Sequence, residues 1–364
     1  MTTNCITSPN DPALLDLCNR LAELADALDG SGQWPEEQLR LCGEYGVYQW
    51  FLDPQWGGQG WDEESIIRGY LALSSACLTT TFILTQRSGA CRRIACSDNP
   101  QPQETLLGDL ASGQLFATVG ISHLTTSRRH LTRPVLRAER ASGGFILDGF
   151  SPWVTGADHA DYLVLGATLL EDDQPTDEQL LVVLPTDLPG VSAGEPAELV
   201  GVSASHTGPT NLERVFVKEQ YVLGGPAENV MSQGTGAATG GHQTSALALG
   251  LTQSALKYLE TEAAKRDELR LPLEALSQEF DNLSQSLFAL TRGEPICSNE
   301  QLRLQANSLA LRASQAALAA AKGTGYLVGH PAGRWCREAL FFLVWSCPQP
   351  VVMANLCELA GIDG

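Results

Sequence analysis

Near residue 113 the apolar spacing of this chain changes from three-to-four residues to two, and after residue 227 it changes back. That double switch argues against alternating strands and helices of a parallel sheet. It leaves an α+β chain with segregated classes: helices, then strands, then helices. In the first zone Asp11-Pro12 reads as an N-cap with proline at the first helical position. Leu14, Leu17, Leu21, Leu24 and Leu28 then mark one helical face until Gly30. Pro35 opens a second helix running toward Gly43 and Gly46. After the loop DPQWGGQGWD, Asp62 caps a third helix through Ile66, Tyr70 and Leu73, and a fourth is predicted over Thr80–Ile94. In the middle zone the runs LFATVGI, PVLRAE, GFILDGF, DYLVLGATLL, QLLVVLP and NLERVFV alternate with Gly, Pro, Asp and Ser clusters. They predict a meander closed into a small barrel or sandwich. EDDQPTDEQ at 171–179 reads as a solvated hairpin loop.

The third zone carries three helical patterns, SALALGLTQSALKYLETEAAKRDEL, LSQEFDNLSQSLFALTRG and LRLQANSLALRASQAALAAAKGTGY. The alanines of the third permit close helix approach, as in a bundle core or a subunit interface. Domain boundaries are therefore expected at 1–112 (helical), 113–225 (β) and 226–364 (helical bundle). A formal net charge of -19 disfavours nucleic-acid binding, which needs clustered Lys and Arg. The ten cysteines form no C-x-x-C pair, so reduced thiols and no metal are expected. No basic segment with an apolar core opens the chain, and no apolar run reaches the roughly 20 residues that span a bilayer. The expectation is a cytoplasmic protein with no membrane contact.

Six stretches resemble, in order, the motifs of one family, the acyl-CoA dehydrogenase-like flavoproteins. DPQWGGQG resembles the family's P-E-x-x-G-G-x-G turn, one residue short. GFILDGFSPWVTGADHADYLVL resembles its G-x-K-x-W-I-T-N-x-x-x-A-D segment. PTDLPGVSAG, SHTGPTNLERVFVKEQYVLGG and ALALGLTQSALKYLETEAAKRDEL are similar to the strands and first bundle helix that follow. KGTGYLVGHPAGRWCREA resembles G-G-x-G-[YF]-x-x-x-x-P-x-x-R-x-x-R-D-A. The resemblance implies three domains, the last a four-helix bundle, and FAD as cofactor. It further implies an acyl thioester substrate on CoA or a carrier protein, an electron-transfer partner, and a homodimer or homotetramer.

The resemblance also implies roles for particular residues. Trp153 and Thr155 would lie against the flavin ring, the indole covering a face and the hydroxyl near the reactive edge. The alternative is Trp153 as packing and Thr155 as strand filler. Ser122 and His123 stand in TVGISHLTTS, where the family contacts the flavin's pyrimidine end; a satisfied loop serine and an exposed histidine are the competing reading. Arg266 matches the arginine that grips the FAD diphosphate of a neighbouring subunit, although Leu269 and Arg270 replace the Phe and Gly that follow. A solvated arginine is the alternative there. Gly323 and Gly325 match the turn where bare backbone nears the diphosphate, or else form a helix C-cap.

At the catalytic base the pattern breaks. The family's usual Glu stands nine residues past the second Arg of R-x-x-R-D-A, and from Arg337 that count reaches Ser346. A second branch carries its Glu on the first bundle helix, where this chain has about Gly240. His242 is a weak substitute, Glu338 matches a structural Asp, and Glu358 lies beyond the aligned stretch. The reaction expected from the resemblance is oxidation of an acyl thioester at its CH–CH group, with no identifiable base. A flavin monooxygenase or oxidase, or a non-catalytic flavin- or acyl-binding homologue, remains as the alternative.

Overall fold

The computed structural model describes residues 5–125, 134–232 and 241–362. Five helices open the chain: α1 (Pro12–Ser31), α2 (Glu36–Glu44), α3 (Glu63–Ala76), α4 (Leu78–Ala95) and α5 (Pro100–Ser112). Helix α1 starts where the Asp11 carboxylate accepts from the Ala13 N–H at 3.0 Å. It ends at Gly32, whose φ of 63° suits a residue without Cβ. Asp62 caps α3 in the same way, accepting from the Ser65 N–H at 2.8 Å. The DPQWGGQG turn depends on Gly58, where a Cβ would sit 1.9 Å from the Leu52 carbonyl oxygen.

Helix α4 is buried almost all round because it lies between two cores. Phe82, Ile83 and Leu84 pack with the helical layer, whereas Ala90, Cys91 and Ile94 pack under the sheet. That central placement accounts for its weak amphipathic signal in the sequence.

The β zone comprises β1 (Ala117–Gly120), the one-turn helix α6 (Ser122–Thr125), β2 (Leu136–Ala141), β3 (Gly144–Thr155), β4 (Tyr162–Glu171), β5 (Gln174–Pro185), β6 (Val191–Ala193), β7 (Thr207–Lys218) and β8 (Val222–Glu228). The strands form one mixed sheet in the order β6-β7-β3-β2-β4-β5-β8, with β1 on β4. The β1–β4 and β2–β4 pairs are parallel and the others antiparallel. Strand period sorts the side chains. Leu163, Leu165, Leu180, Val182 and Leu184 face a cluster that includes β2, β3 and β7, while Val164, Leu181 and Val183 face α4 and α5. The first cluster contains no α-helix residue among the described ones, so the sheet curls over its own inner face.

One expectation needs correction here. EDDQPTDEQ is not a nine-residue loop: β5 already begins at Gln174, and the turn is only Asp172–Asp173, with φ of 49° and 61°. Two consecutive left-handed residues make the tight hairpin turn whose twist matches the strands, so Glu178 and Gln179 are paired strand.

Helices α7 (His242–Ala263), α8 (Arg270–Thr291), α9 (Asn299–Ala321), α10 (Pro331–Ala339), α11 (Phe341–Val344) and α12 (Gln349–Leu359) complete the chain. Ala306, Ala310, Ala313 and Ala317 form the buried stripe of α9. Helix α7 also packs closely on α3, where the Ser74 hydroxyl donates to the Leu247 carbonyl at 2.8 Å. Helices α1, α3, α7 and α9 thus share one core. All ten cysteines are free thiols. Among the described residues, no helix is long and apolar enough to cross a membrane.

Candidate functional site

A cavity of about 550 Å³ opens where the sheet meets the helices. Helix α4 supplies Phe82, Arg92 and Arg93; β1 and α6 supply Val119 and Ser122; β3 and β7 supply Trp153 and Thr207. The first turn of α7 and the chain from Arg337 to Ser346 close the opposite side. The walls are mainly apolar, and the charged residues lining it are Arg92, Arg93 and Arg337, all cationic. Burial lowers the Arg93 guanidinium to about 10, still charged at neutral pH. Such a chamber suits an amphipathic, electron-rich ligand.

Two of the residues expected against the flavin face this space. Trp153 keeps 39% of its surface exposed at the end of a strand whose neighbours are buried, and it lines the cavity. Ser122 lines it too, and its hydroxyl is buried without a hydrogen-bond partner among the described residues. An orphaned hydroxyl beside an exposed indole is a wall with one unfilled polar handle.

Two others are turned away. Thr155 is 1% exposed, and its hydroxyl meets Thr207 Oγ1 at 2.9 Å, which in turn meets Ser205 Oγ at 2.8 Å. Thr207, missed in the sequence, is the member of this hydroxyl chain that reaches the cavity. Strand pairing explains the exchange, since Thr155 and Thr207 are register partners. His123 is buried with Nε2–H donating to the Gly166 carbonyl at 2.6 Å, and burial lowers it to about 4. It therefore stays neutral and does not line the cavity. Arg92 and Arg93 were also missed, because an adjacent arginine pair on a helix has no spacing that marks a pocket.

Arg266, Gly323 and Gly325 lie together, but elsewhere. Arg266 follows α7 and donates to the Ala320 carbonyl at 2.5 Å while pairing with Glu262 at 2.8 Å. Ala320 leads into the Lys322–Tyr326 turn, where Gly323 is exposed to open space and Gly325 is buried against Ala321. The cavity touches the other end of α7, at Gln243 and Thr244. Arg266 lies beyond the far end of that helix, whereas the glycine turn comes nearer: a Cβ on Gly333 would sit 3.2 Å from the Gly325 carbonyl oxygen and 3.8 Å from Nη1 of cavity-lining Arg337.

The base positions resolve as follows. Ser346 lines the cavity with φ of 45°, a left-handed conformation unusual for a residue with a side chain. Gly240 lies outside the described residues. His242 does not line the cavity; its ring is held by Glu63 Oε1 at 2.7 Å and Asn299 Oδ1 at 3.0 Å. Glu338 is 1% exposed and paired with Arg334, whose Nη1 is 3.3 Å away, and burial pushes its carboxyl up. Glu358 accepts from Ser308 on α9. No Asp or Glu is among the residues lining the cavity, and stretches 126–133 and 233–240 contain none in their sequence.

No family model matches the chain. It is 24% identical over 339 residues to the probable acyl-CoA dehydrogenase YngJ of Bacillus subtilis, covering 88% of each. It is 22% identical over 206 residues to the oxygenase subunit HsaA of a flavin-dependent monooxygenase from Rhodococcus jostii, covering 56% of this chain and 49% of that one. The solved glutaryl-CoA dehydrogenase from Mycobacterium smegmatis in complex with FADH2 superposes with a TM-score of 0.78 at 18% identity, covering 98% and 96% of the two chains. The fold is that of the acyl-CoA dehydrogenases. Its curated relatives support the acyl-CoA dehydrogenase-like family for this chain.

Proposed function

We propose that this chain is an FAD-dependent oxidoreductase acting on an acyl thioester. The observation that carries the reading is a cavity lined by both the exposed Trp153 and the partnerless Ser122 hydroxyl. Those residues fit a flavin ring: the indole offers a flat apolar face, and the serine and Thr207 offer polar groups at its edge. When bound, the flavin would accept or deliver the electrons of the reaction. Arg92 and Arg93 favour negative charge developing next to them, and Phe82, Leu340 and Phe341 exclude water from an acyl chain. Arg266, Gly323 and Gly325 do not line this cavity. We assign them to the diphosphate of an FAD bound by a second copy, in a homodimer or homotetramer. The exposed Tyr326, Leu327 and Val328 beside that turn support a subunit contact.

One observation favours a second reading, in which oxygen is a co-substrate. Desaturation next to a thioester needs a positioned base for the α-proton, and the cavity has a neutral Ser346 and no carboxylate. A reaction that spares the α-proton has no need of one. Anaerobic addition of octanoyl-CoA to the FAD-loaded protein separates the readings. Bleaching without oxygen supports dehydrogenation. Bleaching absent with octanoyl-CoA bound, and turnover that consumes oxygen once the flavin is reduced, supports the second. A chain that takes up neither flavin nor acyl-CoA refutes both.

A further inference from the structure

Asp158 and His159 follow β3, and His206 precedes β7, 47 residues beyond His159. Antiparallel pairing of Thr155 with Thr207, extended by the Gly156 N–H donating to the His206 carbonyl at 3.0 Å, brings the three side chains to one corner. There Asp158 Oδ2 lies 3.0 Å from His206 Nδ1, His159 Nε2 lies 3.2 Å from the same nitrogen, and His159 Nε2 lies 3.4 Å from Asp158 Oδ2.

The tautomer of His206 follows from its backbone partner. His206 Nε2 faces the Gly32 carbonyl at 3.3 Å, and a carbonyl can only accept. Nε2 therefore carries the hydrogen in the neutral ring, and the Nδ1 lone pair turns toward the carboxylate. Such a backbone partner is what fixes a ligating histidine's tautomer. The His159 ring is held flat against Trp34, with centroids 4.3 Å apart at 10°. Trp34 in turn fits only because Gly156 lacks a side chain, since a Cβ there would fall 2.4 Å from its ring. A carboxylate oxygen and two ring nitrogens thus converge on one point, where a cation would take the place of the hydrogens they share.

The separations match the donor set of one ion. With bonds of about 2.1 Å, donors at 90° stand about 3.0 Å apart and donors at 109° about 3.4 Å. An ion about 1 Å above the plane of the three atoms would reach them all without moving a side chain. We propose that Asp158, His159 and His206 bind a late first-row divalent cation of the Zn²⁺ class. Two imidazoles and one carboxylate select such an ion over Mg²⁺ or Ca²⁺, which take oxygen donors. The ion clasps the ends of β3 and β7 to the segment between α1 and α2 that carries Gly32 and Trp34. That places it one residue from Thr207 and five from Trp153, so it stiffens the same wall of the cavity.

The test is calorimetric titration of chelator-treated full-length protein with Zn²⁺, in parallel with His159→Ala/His206→Ala and with Asp158→Asn. The cysteines are the same in every variant, so thiol binding cancels in the comparison. The expected result is one Zn²⁺ per wild-type chain, weakened at least 10-fold in Asp158→Asn and lost in the double variant. Zn²⁺ should also raise the melting temperature of wild type and not that of the double variant. Circular dichroism checks that the variants are folded, and Asp158→Asn, an exposed and nearly isosteric change, keeps the test valid if the double variant is not. Identical isotherms for wild type and Asp158→Asn, or no Zn²⁺ uptake by wild type, overturn the proposal.

Discussion

Replacing Ser346 with Glu would supply the group this cavity lacks. The lining charges are three arginines, which hold an introduced carboxylate ionised against the desolvation that would otherwise neutralise it. The added methylene and carboxylate fit a chamber of about 550 Å³. Ser346 already adopts a positive φ with a Cβ present, so the change adds little backbone strain. A positioned general base contributes about 10²–10⁴-fold, equivalent to roughly 3–5 kcal/mol of barrier. Anaerobic stopped-flow bleaching of the FAD-loaded protein by octanoyl-CoA should accelerate at least about 100-fold in Ser346→Glu. Ser346→Gln, similar in size but unable to take the proton, should stay within a few-fold of wild type. The reasoning is refuted if wild type bleaches as fast as Ser346→Glu. It also fails if Ser346→Glu binds octanoyl-CoA and gains nothing.

Two further predictions concern the scaffold. Arg334→Ala leaves Glu338 buried without its partner and should cost about 3–5 kcal/mol in urea unfolding; a loss under 1 kcal/mol would mean that water or another cation replaces the guanidinium. His123, lowered to about 4 by burial, is neutral in the folded state. The unfolded chain binds its proton first, so this contribution is complete above about pH 6.5 and is lost as pH falls toward 4. The full loss is roughly 3 kcal/mol, and His123→Gln should flatten that part of the stability profile; an unchanged profile would show that other groups carry it.

The helix starts were legible because capping is local: Asp11 and Asp62 each act within a few residues of their own position. The end of α1 was not, since the helix runs through Gly30 and stops only at Gly32. Strand content was legible from period two, but the length of the β4–β5 hairpin was not, since polar residues at the tip of a paired ribbon look like loop. The cavity residues divide the same way. Trp153 is visible as an aromatic residue at the end of an apolar strand. Thr207, Arg92 and Arg93 enter only through register and helix rotation, which no local pattern records. His242 shows the converse: it stands two residues from a base position, yet helix rotation points its ring at Glu63 and Asn299 while Gln243 and Thr244 face the cavity. The Asp158, His159 and His206 corner depends on pairing across 47 residues, so spacing alone gave no hint of it.

The claim on which the functional account depends is that a flavin ring rests on the Trp153 wall. Titration of the purified chain with FAD, followed by flavin fluorescence and visible absorbance, tests it most directly against Trp153→Ala. One FAD per chain in wild type, with affinity reduced by about 10-fold or more once the indole is removed, is the predicted outcome. A chain that takes up no FAD, or a Trp153→Ala variant that binds it as tightly as wild type, contradicts the account.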